Sequence, residues 1–109
     1  MTDTAENWEK VCAVGDIPDG RVIGVEVQDV PVALVRLGDE VFALHDVCSH
    51  AEVRLSDGDV YDSSLACWLH GSCFDLRTGK PTGPPATKPV PVYRVKIDGD
   101  DVYVSLSKE

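Results

Sequence analysis

Two short segments, Cys48-Ser49-His50 and Cys67-Trp68-Leu69-His70, restrict this chain of 109 residues more than any other feature. Sixteen residues separate His50 from Cys67. In extended backbone, residues two apart project to the same side, so Cys48 and His50 can reach one point together. Cys67 and His70, three apart and followed by Gly71, can close on that point from a tight loop. Any compatible fold must bring two loops against a shared centre. The polar start, Met1 to Lys10, carries Asp3, Glu6 and Glu9 and lacks the basic-then-apolar pattern of a signal peptide. A cytoplasmic location is therefore expected, where thiols stay reduced, and four cysteines then point to metal binding or chemistry ahead of disulfides.

The scaffold for those loops reads as all-β. Arg21 to Val27 alternates, with Ile23, Val25 and Val27 on one side. Gln28-Asp29 separates it from a longer apolar run, Val30 to Leu37, and Gly38-Asp39 turns that run into Glu40 to His45. Two-residue turns of this kind join antiparallel strands. Near the end, Tyr93, Val95 and Ile97 alternate with Arg94 and Lys96, Asp98 to Asp101 turns the chain, and Val102, Val104 and Leu106 return it. Val11 to Val14 is strand-like, and Cys12 within it reads as core. No segment combines a 3.6-residue apolar period with start and stop signals, so almost no helix is expected. Residues 46 to 80 hold shorter apolar runs among many turn residues. The stretch from Pro81 to Pro91 holds five of the seven prolines and reads as an ordered or semi-rigid loop. The length suits a single domain over 1–109, with metal-binding loops at about 46–80 and a proline-rich loop at 81–91.

Two thiolates and two imidazoles can serve one zinc ion or one [2Fe–2S] cluster. Common zinc frameworks group a cysteine pair with a histidine pair, or use two cysteine pairs. Here each segment offers one of each, which suits a cluster with two chemically different irons. Cys-x-His, sixteen residues, then Cys-x-x-His resembles the signature of the Rieske family. The likeness extends to His70-Gly71-Ser72, Phe74-Asp75 and Thr78-Gly79, which look like the second cluster loop, and to the proline-rich stretch after it. The resemblance implies an antiparallel β-sandwich scaffold carrying a two-loop cluster-binding subdomain. It further implies one [2Fe–2S] cluster held by Cys48, His50, Cys67 and His70, with the cysteines on the inner iron and the histidines on the outer one. Gly71, Ser72 and Trp68 would lie just behind these ligands. A zinc module is the competing reading, and colour separates the two: zinc is colourless and a Rieske protein is brown.

Histidine ligation makes the oxidised cluster neutral where four thiolates would leave it doubly negative, so an electron is added more easily. Rieske centres span roughly −150 to +300 mV against about −400 mV for plant-type clusters. High-potential members of the family carry a bracing disulfide, but its matching positions here are Val53 and Leu69. Ser72 matches a serine hydroxyl donor, whereas Phe74 has no hydroxyl where the family's tyrosine stands. Fewer donors to sulfur stabilise the reduced cluster less, and a low to intermediate potential is expected.

The remaining candidates have plainer readings. His45 is expected as a partly buried strand residue and Cys73 as a thiol beside the site. Trp68 shields the cluster or faces a partner. Asp46, Asp57, Asp59 and Asp62 are expected as a solvated rim, with orientation of docking as their alternative role. The formal charge of −9 disfavours nucleic acid, which needs clustered Lys and Arg. No apolar run is long enough to span a membrane. No Gly-x-Gly-x-x-Gly follows a strand, and once two of the three histidines bind the cluster only His45 is left for a mononuclear iron site. The chain is thus expected to be a carrier and not an enzyme. By resemblance its donor is a flavin-containing, NADH-dependent ferredoxin reductase, and its acceptor is a terminal Rieske non-haem iron oxygenase that hydroxylates aromatic rings. Docking would be transient and the carrier monomeric. A role in iron–sulfur cluster assembly or with another reductase is the alternative, and flanking genes discriminate.

Overall fold

The computed structural model describes residues 8–48, 53–61, 63–68, 72–82 and 88–108. These residues form nine strands: β1 (Glu9–Ala13), β2 (Val22–Val27), β3 (Val30–Leu37), β4 (Glu40–His45), β5 (Asp59–Tyr61), β6 (Ser64–Ala66), β7 (Cys73–Asp75), β8 (Val92–Asp98) and β9 (Asp101–Lys108). The helical content among them is two 3-10 turns, Val14–Asp16 and Leu55–Asp57. All strand pairs are antiparallel. One sheet has six strands in the order β1-β9-β8-β4-β3-β2, and a second has three in the order β5-β6-β7.

The apolar run of β3 is unbroken because both of its faces are buried. Val32 and Leu34 point into a core shared with Ile23, Val25, Val102 and Val104. Ala33 and Val35 point the other way, into a core shared with Leu55, Leu65, Phe74 and Leu76. On β4, Val41 and Ala43 face the first core and Leu44 faces the second. The six-stranded sheet curls so that residues from β1, β2, β3, β4, β8 and β9 line the first core. The small sheet covers the outer face of β3 and β4 and encloses the second. Thus β3 and β4 are a wall between two cores, and an alternating half-buried pattern would not suit them.

The expected strands 30–37 and 40–45 fall on those boundaries, and the expected 21–27 strand begins one residue later. The β2–β3 turn has Gln28 and Asp29 at φ 52 and 69, the pattern of a type I′ turn. At the β3–β4 turn, Gly38 takes φ 62, where glycine has no steric penalty. The small sheet was not legible: its strands have three residues each, too short to show a period. Leu65 on β6 pairs with Phe74 on β7, and both are fully buried. Pro81 bridges to Phe74 at the start of the proline-rich stretch, of which residues 83–87 lie outside those described.

Truncating the wall should be expensive. Leu34→Ala is expected to lower unfolding stability by about 2–5 kcal/mol. The change should appear as a lower denaturant midpoint with an unchanged slope. A loss within about 0.5 kcal/mol, the size typical of surface sites, would contradict a two-sided core wall.

Candidate metal centre

The two cysteines begin loops closed in the same way. The Cys48 amide donates to the Val53 carbonyl at 3.0 Å, and the Cys67 amide donates to the Ser72 carbonyl at 2.6 Å. In each case the first residue is tied to the fifth one after it, so the two loops have matching necks. The first loop leaves the end of β4 and leads into the 3-10 turn Leu55–Asp57. The second connects β6 to β7, whose pairing holds Ala66 opposite Cys73 at its mouth. The fold thus supplies both loops from elements around the second core.

Cys48 and Cys67 are 3% and 2% exposed and share that core with Leu55, Leu65, Phe74 and Leu76. Bringing two thiol-bearing residues into one apolar cluster fits a metal centre, because a buried charge is costly unless it is paired or bound to metal. Among the described residues, which include all four cysteines, no disulfide forms. Ser72, at the end of the second neck, is fully buried. Val53 is half-buried against the same core and Phe74 is fully buried, an apolar surround for any group held between the loops. Trp68, next to Cys67, is 52% exposed. His50, Leu69, His70 and Gly71 lie outside the described residues.

Asp46 corrects one expectation. It was expected on a solvated rim and is instead fully buried. Its carboxylate accepts from the Ser56 amide and the Ser56 hydroxyl, each at 2.6 Å, and from Arg54 Nη1 at 3.4 Å. Hydrogen bonds to a charged group are each worth about 1.5–3 kcal/mol, enough to hold a buried carboxylate in place. The sequence gives no signal for this, since the two Ser56 donors stand ten residues away. Asp57 and Asp59 are exposed as expected, and Asp62 lies outside the described residues. His45 is partly buried on β4, as expected, and its Nδ1 lies 3.1 Å from the Tyr93 hydroxyl. Burial pushes the Tyr93 phenol above its usual range, so the hydroxyl stays protonated beside the imidazole.

Comparison with known proteins places this arrangement. Residues 7–94 match the Rieske [2Fe-2S] domain. The chain is 41% identical to the ferredoxin subunit of anthranilate 1,2-dioxygenase from Burkholderia cepacia, covering 97% of this chain and 99% of that one. It is 40% identical to the ferredoxin component of biphenyl 2,3-dioxygenase from Rhodococcus jostii, over 89% and 91% of the two chains. The ferredoxin solved in a complex of reduced oxygenase and oxidised ferredoxin, from carbazole 1,9a-dioxygenase, superposes with a TM-score of 0.87 at 36% identity, covering 94% of this chain and 95% of that one. The chain belongs to the Rieske [2Fe-2S] family, within which it groups with the ferredoxin components of dioxygenase systems, and its cofactor is one [2Fe–2S] cluster. Among the described residues, no helix is long and apolar enough to cross a membrane.

The two cysteines outside the loops differ from the buried pair. Cys73 lies on β7 beside the second neck and is partly buried. Cys12 packs against the first core from β1. Burial raises its thiol above the usual value of 9.0, and the nearby Asp16 carboxylate pushes the same way. Thiolate is the reactive form, so Cys12 should be almost unreactive at neutral pH. Iodoacetamide labelling of the native protein, read by peptide mass spectrometry, should modify Cys12 slowly at pH 7 and appreciably only above pH 9. Labelling at pH 7 as fast as an exposed cysteine would contradict this.

Proposed function

We propose that this chain is a mobile one-electron carrier, taking electrons from a flavin-containing, NADH-dependent ferredoxin reductase and delivering them to a terminal Rieske non-haem iron oxygenase that hydroxylates aromatic rings. The observation that carries the reading is the pair of matching necks that set Cys48 and Cys67 together in one buried cluster, within a chain that aligns end to end with dioxygenase ferredoxins. The existence of a solved oxygenase–ferredoxin complex for a relative supports the acceptor side. The reductase is inferred from the kind of system those relatives belong to.

Cys48, His50, Cys67 and His70 are the residues that would hold the cluster. When bound, it supplies a single reversible electron. The protein's own contribution is to bury the cysteine end against Leu55, Leu65 and Phe74, excluding water and fixing the ligand loops. Nothing in the chain activates oxygen or binds a nicotinamide in this reading, so it is a carrier and not itself an enzyme, and it works in the cytoplasm. It acts as a single domain and a monomer whose docking is transient and whose interface is correspondingly small. Its acidic balance suits basic faces on both partners.

Val53, Leu69 and Phe74 stand where high-potential relatives would have disulfide and hydroxyl groups, which supports a low to intermediate potential. A redox titration should place the midpoint in the lower or middle part of the range of roughly −150 to +300 mV. A midpoint near its top would contradict the reading. Electron paramagnetic resonance of the reduced protein, with iron and sulfide assays, should show one cluster per chain. Cys48→Ser or Cys67→Ser should abolish assembly, while His50→Cys or His70→Cys should lower the potential or prevent assembly. A Cys67→Ser protein with full iron content would remove Cys67 from the ligand set.

A further inference from the structure

Resting on the carrier reading above, we propose that Asp46 is a positioning residue that sets the shape of the first ligand loop through Ser56. The Asp46 amide donates to the Pro31 carbonyl on β3 at 3.0 Å, which fixes its backbone to the scaffold. Its carboxylate then reaches forward to Ser56, one oxygen accepting the amide and the other the hydroxyl, both at 2.6 Å. The Cys48–Val53 neck lies inside this span. The segment bearing Cys48 and His50 is therefore closed twice, by a backbone bond at the inside and by a side-chain clamp outside it.

A third element shows that the clamp is seated on the scaffold. Gly24 on β2 lies directly beneath it: a Cβ there would stand 2.8 Å from Ser56 Oγ, 3.0 Å from Asp46 Oδ2 and 3.2 Å from Ser56 Cβ. Any side chain at 24 would have to displace the pair. Arg54 adds a longer contact at 3.4 Å from a half-exposed side chain and contributes less. A protein that carries electrons repeatedly on a metal centre must hold its ligands in nearly one geometry in both oxidation states. The clamp does this for the first loop by removing freedom on either side of the neck, in the manner of groups that orient metal ligands without touching the metal.

The test compares Asp46→Ala, Ser56→Ala and Gly24→Ala with the wild-type holoprotein. Asp101→Asn is the control, because it removes an equal charge from a partly exposed pair with Lys10 at 3.2 Å. Three quantities are read: anaerobic iron release to a chelator, the electron paramagnetic resonance of the reduced protein, and the midpoint potential. Asp46→Ala and Gly24→Ala should each release iron about 10–100-fold faster, in line with the 10–100-fold loss of metal affinity when groups behind metal ligands are removed. Both should shift the resonance and the midpoint in the same direction, with Ser56→Ala between them and wild type, and Asp101→Asn unchanged. Should Asp46→Ala not fold, Gly24→Ala and Ser56→Ala carry the comparison. Variants that lose thermal stability but keep wild-type release, resonance and midpoint would reduce Asp46 to a purely structural role and overturn the proposal. Wild-type protein without a [2Fe–2S] signal would instead overturn the carrier reading, so the two failures are distinct.

Discussion

The structure depends on burying both faces of β3 and β4. Each residue of Val32 to Val35 is fully removed from water, alternately toward one core and the other. Fully burying a side chain such as Leu34 or Val35 contributes about 1.5–3 kcal/mol relative to leaving it exposed. Because one pair of strands serves both cores, the curled sheet and the small sheet cannot be separated without exposing one face of the wall. This couples the two cysteine-bearing loops to the wall between the two cores. The apolar face of the small sheet, Leu65 and Phe74, is likewise buried only against that wall and its neighbours.

On this base the two loops are built alike. In each, a cysteine amide reaches a carbonyl five residues on, and the cysteine side chain enters the apolar core. The difference lies in what supports each neck. The second is held by the ladder between β6 and β7, so strand pairing does the work. The first leaves the end of β4 and, among the described residues, has no strand partner on its far side. Its far side is a 3-10 turn, and the Asp46 carboxylate supplies the fixed contact there.

Much of this was legible in the sequence where the signal was local. The strands β2, β3, β4, β8 and β9 are long enough to show alternation or a two-faced apolar run, and the Gly38-Asp39 turn is written in two residues. Val11 to Val14 read as strand, and the structure has β1 over Glu9–Ala13, with Val14 opening the 3-10 turn. The two cysteine–histidine segments stood out by residue type and spacing, and the family match supports the kind of centre they suggested, one [2Fe–2S] cluster. What remained hidden was non-local. The three-stranded sheet depends on packing against Leu44 and Leu55 and has no period of its own. Asp46 has the look of any acidic loop residue until Ser56 and Gly24 are brought beside it. Trp68 had two readings, and only the fold shows that it is exposed.

The interval between the two cysteine–histidine segments also acquires a meaning as a ruler. Between the first neck and the second, the chain makes the 3-10 turn Leu55–Asp57 and then the hairpin of β5 and β6, with Asp59 opposite Ala66 and Tyr61 opposite Ser64. The second half of that interval, residues 59–66, is the contour of that hairpin. Lengthening it by one residue in each arm preserves the register and returns the chain to Cys67 in the same phase. A single extra residue in one arm has to be absorbed by a bulge or it turns Leu65 outward and the neighbouring side chains inward. A fixed spacing in the sequence is thus the parity of a strand pair, and an even change is far easier to accommodate than an odd one.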